Sequence, residues 1–225
     1  MRYDALLLDA DDTLLDFSRA EREAFTAACA HFSLPPRADR CARYSAVNER
    51  YWKLLEQKQI TRDRLVVRRF EELFAEEGLS VDAAAFDRFY REQLGNYAFC
   101  IEGARELLQA LYPLLPLYVV TNGVASIQYR RLKDSGLLPY LRRVFVSEEL
   151  GADKPSPAFF EPVLHEVGVE RSRLLICGDS PSSDIRGGRL CGIDTCLFDP
   201  SERYPDTDST YTIRTLAALL PIVTG

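Results

Sequence analysis

The chain has 225 residues, 47% of them hydrophobic, which is enough for a substantial core and for one domain or one domain carrying an insert. Its 28 Lys and Arg against 34 Asp and Glu leave a net charge of −6, so it lacks the broad basic footprint of a protein that binds nucleic acid polymers, although a local basic pocket for a small anion is compatible with it. Cys29, Cys41, Cys100, Cys177, Cys191 and Cys196 make no Cys-x-x-Cys and no zinc spacing with His31 or His165, no secretory apolar region precedes Asp9, and no run approaches the ~20 apolar residues of a membrane span, so reduced thiols in a cytoplasmic protein without a membrane partner are expected.

Leu6-Leu7-Leu8 reads as a short buried strand that stops on Asp9-Ala10-Asp11-Asp12-Thr13. Three carboxylates this close repel one another and resist burial unless a cation neutralises them, and Mg2+ takes oxygen ligands. Asp is also common in turns, so this stretch alone allows a plain acidic turn. Ser18 and Glu21 have capping-box spacing and start a helix that Pro35-Pro36 ends. A second helix runs from about Arg40 with Tyr44, Val47, Tyr51 and Leu55 on one stripe. A third carries Val66, Phe70, Leu73 and Phe74 up to Gly78, and a fourth carries Phe86, Phe89, Tyr90 and Leu94. Residues 16–98 therefore form an all-helical module.

The texture then changes. Gly103 to Leu111 is a short helix, and Leu117 to Val120 a β-branched strand ending in Thr121-Asn122-Gly123. A helix closed by Gly136 follows, then a strand from Arg143 to Ser147. Ser156-Pro157 opens a helix that Gly168 closes. Leu174 to Cys177 is a strand ending in Gly178-Asp179-Ser180, a helix spans about Ser183 to Leu190, and Thr195 to Phe198 is the last clear strand. Residues 199–210 form a polar loop, and Ile213 to Leu220 the closing helix. Strands alternating with helices imply an α/β fold, a parallel sheet with helices on both faces, made of residues 1–15 and 99–225. The helical module interrupts it after the first strand. Ligands of such sheets bind in the crevice outside the carboxyl ends of the strands, where the insert is expected to act as a lid.

Three strand ends in this reading carry polar residues, and Lys154 lies in the loop between them. A carboxylate can act as a nucleophile toward phosphorus, a second can hand a proton to the leaving oxygen, and Mg2+ offsets the accumulated negative charge. A hydroxyl, an amide, backbone N–H groups and a lysine can hold phosphate oxygens. Each piece has a structural alternative: a turn at Thr121-Asn122-Gly123, a solvated Lys154, a helix cap at Asp179. Their joint occurrence in this order favours the chemical reading.

At these residues the sequence resembles the haloacid dehalogenase superfamily, most of whose members are phosphatases. The matching motifs are Asp9-Ala10-Asp11-Asp12-Thr13, Thr121-Asn122, Lys154-Pro155, and Gly178-Asp179-Ser180 with Ser183-Asp184. The resemblance implies a Rossmann-like core with a helical cap, Asp9 as nucleophile and Asp11 as general acid/base. It further implies Mg2+ on Asp9, the Asp11 backbone carbonyl and Asp179, with Asp184 as an outer partner, and Thr121, Asn122, Gly123 and Lys154 as phosphoryl anchors. Asp11 favours phosphate esters over halides, because a halide leaving group needs no proton.

The helical module adds a second resemblance. Asn48-Glu49-Arg50-Tyr51-Trp52, Ile60-Thr61 and Arg69-Phe70 look like the cap of 5′-nucleotidases that act on pyrimidine and non-canonical nucleoside monophosphates, and Gln128-Tyr129-Arg130-Arg131-Leu132 and Ser147-Glu148-Glu149-Leu150-Gly151 fit the same group. Asn48, Trp52 and Arg69 then become candidates for substrate recognition, with packing between cap helices as the alternative for Trp52. The expected function is a Mg2+-dependent phosphomonoesterase acting on a small phosphate ester, a nucleoside 5′-monophosphate first. The competing readings are a sugar-phosphate or phosphoglycolate-type phosphatase or mutase, a 2-haloacid dehalogenase, and a phosphate-binding protein without turnover.

Overall fold

The computed structural model describes all 225 residues. The first strand, β1 (Ala5–Leu8), is buried along its whole length. It is followed by α1 (Phe17–His31), α2 (Arg40–Glu56), α3 (Arg62–Glu76) and α4 (Ala83–Asn96), and then by α5 (Ala104–Leu111), β2 (Leu117–Thr121), α6 (Ala125–Asp134), β3 (Arg143–Val146), α7 (Ser147–Leu150) and α8 (Pro157–Val167). The chain closes with β4 (Leu174–Gly178), α9 (Arg186–Leu190), β5 (Asp194–Phe198), β6 (Tyr211–Ile213) and α10 (Leu219–Thr224). It divides into two compact units, Met1–Phe17 with Ala98–Gly225, and Ser18–Tyr97.

The first unit is one six-stranded parallel sheet in the order β3-β2-β1-β4-β5-β6. Because β1 is central and both faces are covered, its sequence is continuously apolar rather than alternating. Leu6 and Leu8 point to one face, with Leu107, Leu108 and Leu111 of α5 and Leu219 and Val223 of α10 in the same core. Leu7 points to the other, with Phe159, Phe160 and Val163 of α8. Leu8 lies level with Val119 of β2 and Cys177 of β4. The carboxyl ends of all three strands therefore lie at the same end of the sheet, with β2 running on to Thr121 and β4 to Gly178. Strand order reverses there too, with β2 and β3 on one side of β1 and β4 to β6 on the other, the arrangement that opens a crevice for ligands.

Four details differ from the sequence reading. Tyr211 to Ile213 form an edge strand that pairs with β5, Cys196 opposite Tyr211, and the closing helix starts later, at Leu219. Three residues are too few to carry a period, so only pairing with β5 makes this segment a strand. Ser147 belongs to the one-turn helix α7, not to β3. Helix α1 begins at Phe17, which puts Ser18 inside its first turn. The segment Pro181–Ile185 is a wide π-helical turn rather than regular α-helix, with the N–H groups of Asp184 and Ile185 both donating to the Ser180 carbonyl at 3.0 and 3.2 Å. Such turns often occur at functional sites.

The helical unit is built around aromatic rings. Phe25 stacks on Tyr44 at 4.3 Å between centroids, Tyr44 stacks on Phe70 at 5.1 Å, and the Phe86 ring stands edge-on to Phe25. Beside them runs a buried polar chain. Asn48 Nδ2 donates to Glu21 Oε1 at 2.6 Å, Arg69 Nη1 donates to Asn48 Oδ1 at 2.7 Å, and Arg69 Nη2 donates to Asp87 Oδ1 at 3.0 Å. The Arg69 guanidinium also lies over the Phe70 and Tyr90 rings.

Asn48 and Arg69, expected as candidates for reading a substrate, have a packing role in this structure. Each is only 3% exposed and has its polar atoms engaged inside the unit. A buried guanidinium needs a carboxylate and a buried amide needs partners, so the two were recruited to satisfy each other. Trp52 packs against the cluster of Val47, Tyr51, Leu55 and Leu65, with Arg62 over its ring, the packing role weighed for it above. Replacing Arg69 by Ala should therefore cost about 3 kcal/mol of stability, the range for breaking one side of a buried ion pair. Urea denaturation measures it; an unchanged midpoint would mean that the network contributes nothing.

Candidate active site

Asp9 is the first residue beyond β1 and is 7% exposed; its N–H donates to the Cys177 carbonyl at 2.9 Å, continuing the ladder to β4. Lys154 reaches it from the loop between α7 and α8. The buried Lys154 Nζ donates to Asp9 Oδ1 at 2.5 Å, to Asp184 Oδ1 at 2.6 Å and to the Val120 carbonyl at 2.8 Å, which uses all three of its donors. Its loop is held in turn by Asn122, whose Nδ2 donates to the Lys154 carbonyl at 3.0 Å and whose Oδ1 accepts the Lys154 N–H at 2.8 Å. Asn122 thus stands in for a neighbouring strand. Its side chain positions the lysine, through Oδ1 and one of the two Nδ2 hydrogens.

Asp184 arrives through the wide turn. Its Oδ2 accepts the Ser180 N–H at 3.2 Å, and its Oδ1 takes the lysine. The turn brings the carboxylate so near β4 that a Cβ on Gly178 would stand 2.2 Å from Asp184 Oδ2, so only glycine fits there. Asp179 follows Gly178. One carboxylate oxygen each from Asp9, Asp179 and Asp184 lies within 4.8 Å of the others. Arg203 Nη2 is 3.9 Å from Asp179. That arginine comes from the polar loop after β5, where the buried Asp199 carboxylate accepts the N–H groups of Arg203 and Tyr204 at 3.0 and 2.9 Å.

Asp11 is two residues from Asp9 but its side chain points elsewhere. It accepts from the Arg131 guanidinium and from Gln128 Nε2, the latter at 2.9 Å. The same Gln128 nitrogen donates to Thr121 Oγ1 at 2.7 Å, and the Gly123 N–H donates to Ser147 Oγ at 3.2 Å. Of the residues expected to share one site, the structure thus joins Asp9, Lys154, Asp179 and Asp184 in one cluster. Asp11 and Thr121 meet through Gln128. Gln128 and Arg131 were not among the expected site residues; the available signals were the stretch from Gln128 to Leu132 already likened to the nucleotidases and their spacing of three on one helix, which puts both on the same face.

The electrostatics follow from burial. Burial first, and then the charges of Asp184 and Asp11, push the Asp9 carboxyl up to about 7 against the pull of Lys154. Burial and the charges of Asp9 and Asp184 push Asp179 up to about 9. Burial alone would lower Lys154, but Asp184 and Asp9 hold it above its ordinary value, so it stays charged. When all three are ionised, the carboxylates against one ammonium leave an excess of two negative charges. A hard divalent cation with oxygen ligands matches both that charge and that donor set, so the residues fit Mg2+.

The haloacid dehalogenase-like hydrolase family model matches residues 3–192. The chain belongs to this family. It is an enzyme, a hydrolase. It is 39% identical over 225 residues to the HAD-hydrolase YfnB of Bacillus subtilis, covering 99% of this chain and 96% of that protein. A crystal structure of YfnB bound to magnesium superposes with a TM-score of 0.94 at 38% identity, covering 100% of both chains. The pyrimidine 5′-nucleotidase PynA of Streptococcus pneumoniae is 36% identical over 98% of this chain and 94% of its own length. The pyrimidine 5′-nucleotidase YjjG of Escherichia coli is 31% identical over 90% and 89%. No helix of this hydrolase is long and apolar enough to cross a membrane.

Asp9 and Asp179 ionise in the unfolded chain near the ordinary carboxylate value of about 4 but later in the folded one, so the metal-free protein binds more protons when folded and loses stability as pH rises from about 4 to 9. Mg2+ competes with those protons, so its stabilising effect on the melting temperature should be larger at pH 8.5 than at pH 6. A magnesium shift independent of pH would contradict this. Gly178→Ala forces Asp184 off Lys154, and the same melting experiment should then show little magnesium shift; an undiminished one would mean that Asp184 is not needed there.

Proposed function

We propose that this haloacid dehalogenase-like hydrolase is a magnesium-dependent phosphomonoesterase that forms an aspartyl-phosphate on Asp9, with nucleoside 5′-monophosphates, pyrimidine ones first, as its substrates. The observation that carries the reading is the Lys154 ammonium clamped between Asp9 and Asp184, with Asp179 alongside, at the carboxyl ends of β1 and β4. The nucleotide preference rests on the two pyrimidine 5′-nucleotidases that this chain resembles over nearly its whole length.

A carboxylate of Asp9 attacks phosphorus, the new Asp9–phosphorus bond forms, and the bond to the ester oxygen breaks with its electron pair staying on that oxygen. Asp11, entering protonated, gives its proton to the departing alkoxide and then takes one from the water that attacks the phosphorus; the bond between the Asp9 oxygen and phosphorus breaks with its electron pair returning to the Asp9 carboxylate, which releases inorganic phosphate and leaves Asp11 protonated again. Lys154 and the Thr121 hydroxyl hold the phosphoryl oxygens, with the backbone around Gly123. Asp9, Asp179 and the Asp11 carbonyl, with Asp184 beside them, would hold magnesium, which would supply charge neutralisation at the phosphoryl group. The helical unit, residues 18–97, serves as a cap that selects the leaving group. The protein works in the cytoplasm, on a small molecule.

Phosphate release from a panel of esters with Mg2+ tests the proposal, and the highest kcat/KM is expected on a pyrimidine nucleoside 5′-monophosphate. No release from any ester by folded, magnesium-supplied protein would overturn it; release confined to sugar phosphates would overturn the nucleotide preference alone. Asp9→Asn should abolish turnover and leave the melting curve cooperative. Asp11→Asn should slow it by about 100-fold or more, the usual share of general acid–base catalysis.

A further inference from the structure

Arg131 is fully buried on α6, and its charged partner is the Asp11 carboxylate. An arginine taken out of water is kept only where its charge is met. The Phe17 ring lies 5.6 Å from the guanidinium and helps to fix it. Gln128, one turn earlier on the same face, is also buried. Arg131 Nη1 donates to Gln128 Oε1 at 3.3 Å, which decides which end of the amide is oxygen.

With that end settled, the amide nitrogen must face the other way, and it does. Its two hydrogens go to Asp11 Oδ2 and Thr121 Oγ1. An amide NH2 can only donate, so the Thr121 hydroxyl accepts at this contact and its own hydrogen is left to donate elsewhere. Gly123 leaves the room that the Gln128 side chain occupies, since a Cβ there would stand 3.1 Å from Gln128 Cγ.

We propose that Arg131 and Gln128 are positioning residues: together they fix the orientation of the Asp11 carboxyl group, which serves the leaving oxygen once it is protonated, and they turn the Thr121 hydroxyl hydrogen toward the phosphoryl group. Neither touches substrate. The inference rests on the phosphatase reading above and adds to it the device that keeps the proton carrier and one phosphate donor in register. Arg131 acts through the orientation of the Gln128 amide as well as through its own contact with Asp11.

The test exploits leaving groups. p-Nitrophenolate departs without a proton, whereas an alkoxide needs one, so only alkyl esters depend on where Asp11 stands. kcat/KM is the quantity to compare, because it reports the step in which the ester bond breaks. In Arg131→Met, kcat/KM for an alkyl phosphate should fall by about 100-fold, and that for p-nitrophenyl phosphate by at least ten times less. Arg131→Lys, which keeps the charge but not the fork, should recover part of the loss. Gln128→Met, close in volume, carries the same test if the arginine variants do not fold. It should also raise the inhibition constant for inorganic phosphate severalfold, through Thr121.

Equal losses on both esters in folded variants, with no change in phosphate inhibition, would overturn the positioning role while leaving the phosphatase reading intact. Failure of the wild-type enzyme to hydrolyse either ester would overturn both.

Discussion

A lysine ammonium removed from water and set between two aspartates is the constraint on which the core of this protein turns. Lys154 stays charged because Asp9 and Asp184 flank it and the Val120 carbonyl takes its third hydrogen. Much of the surrounding backbone can be understood as serving that contact. Asn122 grips the lysine's own peptide groups, the wide turn after β4 carries Asp184 back toward the strand, and Gly178 gives up a side chain to let it pass. One ammonium does not balance three ionised carboxylates, and that donor set and charge fit a divalent cation.

Two carboxylates only two residues apart end in different surroundings. Asp9 is enclosed and faces the lysine, whereas the Asp11 side chain is a quarter exposed and faces Arg131 and Gln128. Separate environments are the general means by which neighbouring carboxylates take separate roles in one reaction. Here the division comes from two helical elements: α6 supplies the partners of Asp11, and the turn before α9 supplies the companion of Asp9.

The helical unit follows another logic. Its interior joins stacked aromatic rings to a chain of Glu21, Asn48, Arg69 and Asp87, so that polar side chains are buried only in each other's company. Helical periodicity shows that such residues lie on helices, but it does not distinguish a polar side chain turned toward a ligand from one turned inward. That is why Asn48 and Arg69 carried a recognition reading in the sequence and a packing role in the structure.

The chain by itself determined the class of fold and the chemistry of the strand ends. Continuous apolar runs are buried parallel strands because both faces are covered, and a run of carboxylates at such an end has few uses without a cation. It was also enough to identify the family, since Asp9, Lys154, Asp179 and Asp184 stand in motifs of fixed type and order. Tertiary structure alone decided the strand at Tyr211, which exists because β5 offers it an edge, and the use of Asn122, whose partners lie 32 residues away. It alone paired Arg131 with Asp11 across 120 residues. Local sequence reports periodicity and residue type, but the partner of a buried polar group such as Arg131 or Asn122 is set by how the chain returns on itself, and no short window contains both Arg131 and Asp11.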